Sequence, residues 1–253
     1  MMTWGAFALP PEQVFWIATS VGLAALIRAF TGFGFAMLVV PVFSLILTPG
    51  DAVVLSAVLA FILGLVSYRA WWGLFPLTPV LPMMAGAALG TAIGVWFLSS
   101  LSVVEFQLWI GLLVVVASVA LARFTPKERP ASRSVAMGTG VASGLMNGAF
   151  AIPGPPVILY VVATLTDPIQ SRAFLMMFFF GSSIVSLMMF AVAGLVTPRP
   201  FQLLWAAIPA MWLGNQLGNW AFRRFAGGAY RPFVVGLCIL IGLSISAKAL
   251  VEL

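Results

Sequence analysis

The sequence contains no histidine, one cysteine and few charges: only 7% of its residues are Asp, Glu, Lys or Arg. Each scarcity excludes something. Without histidine, and with Cys238 as the sole thiol, the usual ligand sets for structural zinc or haem cannot be assembled, and no cofactor is expected. Cys238 cannot form an intrachain disulfide; within VVGLCILIGL it reads as a small core or lipid-facing residue. No nucleophile–base pair or metal cluster points to an enzyme. A soluble domain carries about 25% charged residues, so this chain cannot make a water-soluble surface. The N-terminal MMTWGAFALPPEQ lacks a basic n-region, so the first apolar segment is expected to remain in the mature protein.

What is present is apolar: 62% hydrophobic residues over 253 positions, with mean hydropathy +1.14. The runs are long and unalternating, which predicts membrane helices rather than a β-barrel. A spanning helix needs about 20 residues. Segment 1a is read from Val14 to Ala29, 1b from Ala36 to Leu47, 2 from Ala52 to Tyr68, 3 from Leu77 to Leu98 and 4 from Val103 to Ala122. Asp51 is read as the N-cap of segment 2. After the polar stretch RFTPKERPASR come 5a from Val135 to Met146, 5b from Val157 to Leu165, 6 from Ser171 to Leu195, 7 from Phe201 to Phe222 and 8 from Arg231 to Leu250.

The two halves resemble each other. Each opens with a short helix, a Gly-rich break and proline: Gly32-Phe33-Gly34 then Pro41, and Gly148 then Pro153, Pro155 and Pro156. Each carries GxxxGxW in its third long segment, at Gly90, Gly94 and Trp96 and at Gly214, Gly218 and Trp220. Small residues at that spacing let helix backbones approach closely, and the paired matches point to an internal repeat. Residues 1–122 form the first repeat, 123–134 a linker loop and 135–253 the second.

Loop charges choose the repeat orientation. If segments 1a/1b and 5a/5b each cross as one broken helix, Arg69, Arg123, Lys127, Arg129, Arg133, Arg199 and Lys248 share one side and Arg172, Arg223, Arg224 and Arg231 the other, a weak bias. If each pair is a re-entrant hairpin, Arg69, Arg123, Lys127, Arg129, Arg133, Arg172, Arg223, Arg224 and Arg231 share one side, leaving Arg199 and Lys248 on the other. The positive-inside rule favours the hairpins. Length agrees, since 5a at about 12 residues would span only ~18 Å. The expected fold is an all-α polytopic membrane protein of two inverted repeats, each a re-entrant broken-helix hairpin plus three transmembrane helices. The termini face out and the 123–134 loop faces the cytoplasm.

Non-helical backbone at membrane depth must be covered by protein or line a water-filled cavity, so the two breaks are expected to meet inside the molecule. Each starts a half-helix whose free N–H groups favour an anion. Gly32, Gly34 and Gly154 permit close approach to backbone, and Pro155 fits a first helical turn. Arg28, beside the first break, is the candidate guanidinium for an oxyanion; its alternative is an interface or carbonyl contact. Thr31 and Asn147 read as substrate donors or as caps. Asn215 and Asn219, one turn apart, read as pathway lining or as interhelix contacts. Glu105 and Asp51 suit helix starts, with proton coupling as the alternative. Asp167 and Arg172 read as interfacial. Buried acids that would serve a cation path are not evident at the breaks, and nothing suggests a nucleic-acid partner.

TGFGFAMLVVP, NGAFAIPGPPVILY, SRAF and the P-x4-G-x3-G run from Pro209 to Gly218, in that order around a basic loop, resemble the TauE/SafE family of sulfite exporters and sulfonate permeases. The resemblance covers nearly the whole chain. It implies a bacterial inner-membrane, multi-pass transporter of sulfite or an organosulfonate. Gly32, Gly34, Pro41, Gly148, Gly154, Pro155 and Pro156 fall on family motif positions, while Phe33, Phe35 and Arg28 replace smaller or apolar residues there. The implied partners are a small anion and membrane lipid. Coupling to a proton, to sodium or to the anion gradient stays open, as does oligomeric state. The competing function is a transporter or channel for another small ion, such as a carboxylate.

Overall fold

A computed structural model describes residues 10–78, 80–123, 132–165 and 167–225. Segment 8, Cys238, Lys127, Arg129 and the first nine residues lie outside them. Among the described residues the chain forms α1 (Pro11–Thr31), α2 (Phe35–Ser44), α3 (Pro49–Val66), α4 (Leu81–Leu98), α5 (Val103–Arg123), α6 (Arg133–Phe150), α7 (Gly154–Thr164), α8 (Pro168–Val192) and α9 (Pro198–Phe225), with no strand. α1, α3, α4 and residues Ile169–Val192 of α8 are long and apolar enough to cross a bilayer. The chain is a multi-pass helical membrane protein.

Local chemistry explains the boundaries. Thr48, not Asp51, caps α3: its hydroxyl accepts the Asp51 N–H at 3.3 Å, and Asp51 sits in the first turn beside the positive end of the helix dipole. Ser102 and Glu105 cap α5 reciprocally, at 2.8 and 3.2 Å. Asp167 caps α8 through the Ile169 N–H at 2.9 Å. The second break falls later than expected. α6 runs through Asn147 and Gly148 to Phe150, 18 residues or about 27 Å. Shortness therefore does not distinguish it from a spanning helix. Glycine fails to stop α6 because Gly140, Gly144 and Gly148 are where it packs.

Two helix pairs are built on glycine. Cβ atoms on Gly86, Gly90 and Gly94 of α4 would strike the carbonyl oxygens of Met137, Val141 and Leu145 in α6. Cβ atoms on Gly140, Gly144 and Gly148 would strike those of Met83, Ala87 and Thr91 in return. In the other half, Gly214 and Gly218 of α9 press on the Gly22 and Leu26 carbonyls of α1. Both registers advance in the same sense, so α4 runs parallel to α6, and α1 to α9. Through these glycines the GxxxG faces join one half of the chain to the other. α3 and α8 cross the middle antiparallel: Gly50 lies beside Leu195, and Gly64 and Phe61 beside Phe180. α3 runs with α9, since Asp51 accepts from Thr197 at 2.6 Å and Ser67 donates to Asn215 at 3.2 Å. α1 and α3 thus point the same way, and α2 is the return between them.

The run Phe174–Phe178 is buried core. Trp71 is also inside, its indole donating to the Gly64 carbonyl at 3.1 Å. Trp72, Trp96, Trp109, Trp205, Trp212 and Trp220 face outward, as an aromatic belt requires.

Candidate functional site

The two breaks meet. α1 ends at Gly32, whose φ of 87° lets its N–H reach the Arg28 carbonyl at 2.7 Å; α6 ends at Ala151, in the same left-handed region at 53°. The glycine registers place Gly22 of α1 opposite Gly214, and Val141 of α6 opposite Gly90. Aligning the two GxxxGxW stretches, Gly90 with Gly214, pairs Arg28 with Asn147, Gly32 with Ala151 and Gly34 with Pro153. Gly34 caps α2 at φ 94°, and Pro153 caps α7; neither helix start has a side-chain cap.

Between the breaks lies a cavity of about 40 Å³, lined by Arg28, Phe33–Met37, Asn147, Ala151–Gly154, Ser56, Ala57 and Ala60 of α3, and Phe179, Ser183 and Ser186 of α8. A water molecule needs ~10–15 Å³ on this measure, so a small anion fits. Most of the wall is apolar. The polar exceptions are concentrated. Arg28 is only 2% exposed, and both terminal guanidinium nitrogens lack a hydrogen-bond partner among the described residues. The buried Ser56 hydroxyl lacks one too. Unpaired buried donors are costly, and here both residues line one cavity. Among the described residues no carboxylate lines it. The first turn of α2, Phe35-Ala36-Met37, lines the same cavity and keeps every backbone N–H, whereas α7 starts Gly154-Pro155-Pro156 and has fewer.

Of the residues expected from sequence, Arg28, Phe33, Gly34, Asn147 and Gly154 come together on this wall. The others hold the frame. The Thr31 hydroxyl lies 2.8 Å from both the Ile27 and Phe33 carbonyls, with one proton to donate between them, and accepts the Phe33 N–H at 3.1 Å, folding the first break. A Cβ on Gly32 would come within 3.1–3.4 Å of Arg172, and one on Gly148 would strike the Thr91 carbonyl. Pro155 occupies the first turn of α7, as expected. Asn147 donates to the hydroxyls of Ser182 at 2.8 Å and Ser186 at 2.5 Å, tying the second break to α8. Ser143 reaches the Pro153 carbonyl at 2.5 Å. Asn215 and Asn219 are outside the lining: Asn215 accepts from Ser67, and Asn219 from Arg172 at 2.7 Å.

Arg172 is interior rather than interfacial. It is 9% exposed and donates through Nε at 3.0 Å, and through its terminal nitrogen, to the Ala29 carbonyl, with its guanidinium 4.2 Å from the Phe222 ring centre. Ser56, Ser183 and Ser186 were missed in the sequence. The S-x3-S spacing at Ser182 and Ser186 was a usable signal, whereas Ser56 is one hydroxyl in an apolar run.

The family model described as sulfite exporter TauE/SafE matches residues 17–245. A probable sulfite/organosulfonate exporter TauE from Cupriavidus necator is 26% identical over 178 residues, covering 66% of this chain and 68% of that protein. No solved structure matches.

Proposed function

The chain belongs to the sulfite exporter TauE/SafE family, and on that premise we propose that it is a secondary transporter carrying a small sulfur oxyanion, sulfite or an organosulfonate, across the bacterial inner membrane. The oxyanion sits in the cavity between the breaks. Arg28 supplies the charge and a forked pair of donors, Ser56 a hydroxyl, and the first turn of α2 its backbone N–H groups. The observation that carries this reading is the buried Arg28 guanidinium, both terminal nitrogens unpartnered among the described residues, beside a cavity that no described carboxylate lines. The similarity to a sulfite/organosulfonate exporter supports the choice of sulfur anion.

The repeats are inverted in this reading. Support comes from α3 and α8, which hold corresponding places in the two halves and run antiparallel, and from α2, which returns between two helices of like direction. Alternating access then rocks one repeat against the other about the site. The termini are periplasmic and the 123–134 loop cytoplasmic. Cysteines placed at Thr3 and Ser132 should label from opposite sides; labelling of Ser132 from outside would reject this orientation.

The functional test is sulfite flux into proteoliposomes holding wild type or Arg28→Gln, with taurine, isethionate and acetate as competitors. Wild-type flux that the variant loses, with competition by the sulfonates, is the expected result. If folded wild type carries no sulfur oxyanion while acetate is transported, the carboxylate reading replaces this one.

A further inference from the structure

We propose that the species carried is a monoanion, so that sulfite crosses as hydrogensulfite and the substrate itself brings the proton. The inference rests on the transport reading above and deepens it. Of the described residues lining the cavity, Arg28 is the only charged one; the remaining polar groups there, Ser56, Asn147, Ser183 and Ser186, are neutral. A single guanidinium balances a single negative charge. A dianion would leave its second charge unpaired against Phe33, Met37, Ile152 and Phe179, where an unpaired charge is strongly disfavoured.

The same wall offers no protein group to carry a proton. Histidine is missing from the chain, and none of the four described carboxylates lines the cavity. Glu12 starts α1; Asp51, at the start of α3, accepts from Thr197; Glu105 caps α5 and Asp167 caps α8. From the surrounding helices, α2 contributes no charged group. Tyr160 of α7 is packed in the core, outside the lining. Arg172 of α8 commits donors to Ala29 and Asn219, and Arg223 and Arg224 are exposed at the end of α9. The proton balance is therefore carried by the substrate. Sulfite takes up one proton on the side it leaves. Hydrogensulfite crosses with one negative charge, and part of it releases the proton where it arrives.

The two ionic forms have opposite signatures. Hydrogensulfite entering a vesicle near neutral pH dissociates in part and acidifies the lumen. The sulfite dianion would take up protons and alkalinise it. The experiment loads proteoliposomes of the full chain with a trapped pH dye, clamps the membrane potential with potassium and valinomycin, and adds sulfite, methanesulfonate or sulfate. Protein-free vesicles and Arg28→Gln vesicles give the passive background. Expected are acidification above background with sulfite, methanesulfonate uptake with no pH change, and inhibition by sulfate weaker than that by methanesulfonate by about tenfold or more.

Alkalinisation with sulfite, or sulfate competing as well as methanesulfonate, overturns the monoanion. Acidification with methanesulfonate as well would mean that the protein moves a proton of its own, which overturns the substrate-borne proton. Failure of every oxyanion to be transported or to compete overturns this inference together with the transport reading beneath it. The wild-type anion series needs no variant to fold.

Discussion

The two breaks occupy matching positions but are made differently. The first has Arg28, two glycines at positive φ and a following helix turn with every N–H present. The second has Asn147, Ala151 in the left-handed region, and a following turn holding Pro155 and Pro156. Asn147 spends its amide on Ser182 and Ser186, whereas the Arg28 nitrogens are left for the cavity. One repeat supplies charge and donors; the other supplies a braced, neutral wall. In the transport reading proposed above, two similarly packed halves can thus hold an asymmetric ligand, because symmetry of packing does not require symmetry of chemistry.

The comparison can be broken hardest at the glycine contacts, where the halves should behave alike. Gly144→Leu and Gly218→Leu each force a side chain into a carbonyl of the facing helix. Each should cost at least about 3 kcal/mol, seen as loss of the monodisperse peak in detergent. If only one collapses, the two pairs are not equivalent.

The sites should then diverge. Arg28→Gln should cut transport about 100-fold, since losing a buried charge-assisted contact costs ~2–5 kcal/mol at about 1.4 kcal/mol per tenfold. Asn147→Ala should cut it by about tenfold or less, given that its bonds hold α8 and are neutral. Equal losses in the same flux assay would mean that the halves share the substrate evenly.

Arg172→Gln tests a brace confined to the first break. The Ala29 carbonyl and Asn219 lose their donor, worth about 1–3 kcal/mol. Melting should fall by several degrees and flux several-fold, and a fall in melting without any change in flux would detach this brace from the site.

The smallest effects have opposite signs. Gly32→Ala should destabilise by about 1–2 kcal/mol, with Arg172 only 3.1 Å from the new methyl. Ala151→Gly should stabilise by about 0.5–1 kcal/mol by relieving its left-handed backbone. Thermal melts of the pair read both.

Much of this was legible in the chain. Arg28 stood out because a charge in an apolar segment has few structural uses, and the Gly-Phe-Gly break because consecutive helix breakers stop a membrane helix. The GxxxG pairs were legible as contact faces, but not their partners. The pattern relates α4 to α9 as counterparts in the two halves, and folding shows what each touches: α4 packs on α6 and α9 on α1. The later end of α6 was missed for the same reason: Gly148 reads as a breaker until Thr91 is seen against it. Arg172 looked interfacial from its place near a segment start, and only folding brings it to Ala29, 143 residues away.

Sequence by itself determined the solvent and the secondary structure. So few charges leave no choice but lipid, and in lipid each backbone group must be satisfied within a helix. It also determined that a helix breaks at Gly32-Phe33-Gly34 and that a cation stands beside that break. The tertiary structure decided which polar groups are consumed and which are left over. Asn215, Asn219, Thr31 and Arg28 are alike as candidates along the chain. They separate by their partners: Thr31 is satisfied within its own break, Asn219 by Arg172 of α8 and Asn215 by Ser67 of the other half, whereas the terminal nitrogens of Arg28 find no partner among the described residues; a buried polar group's role depends on whether its neighbours satisfy it, and packing supplies most of those neighbours.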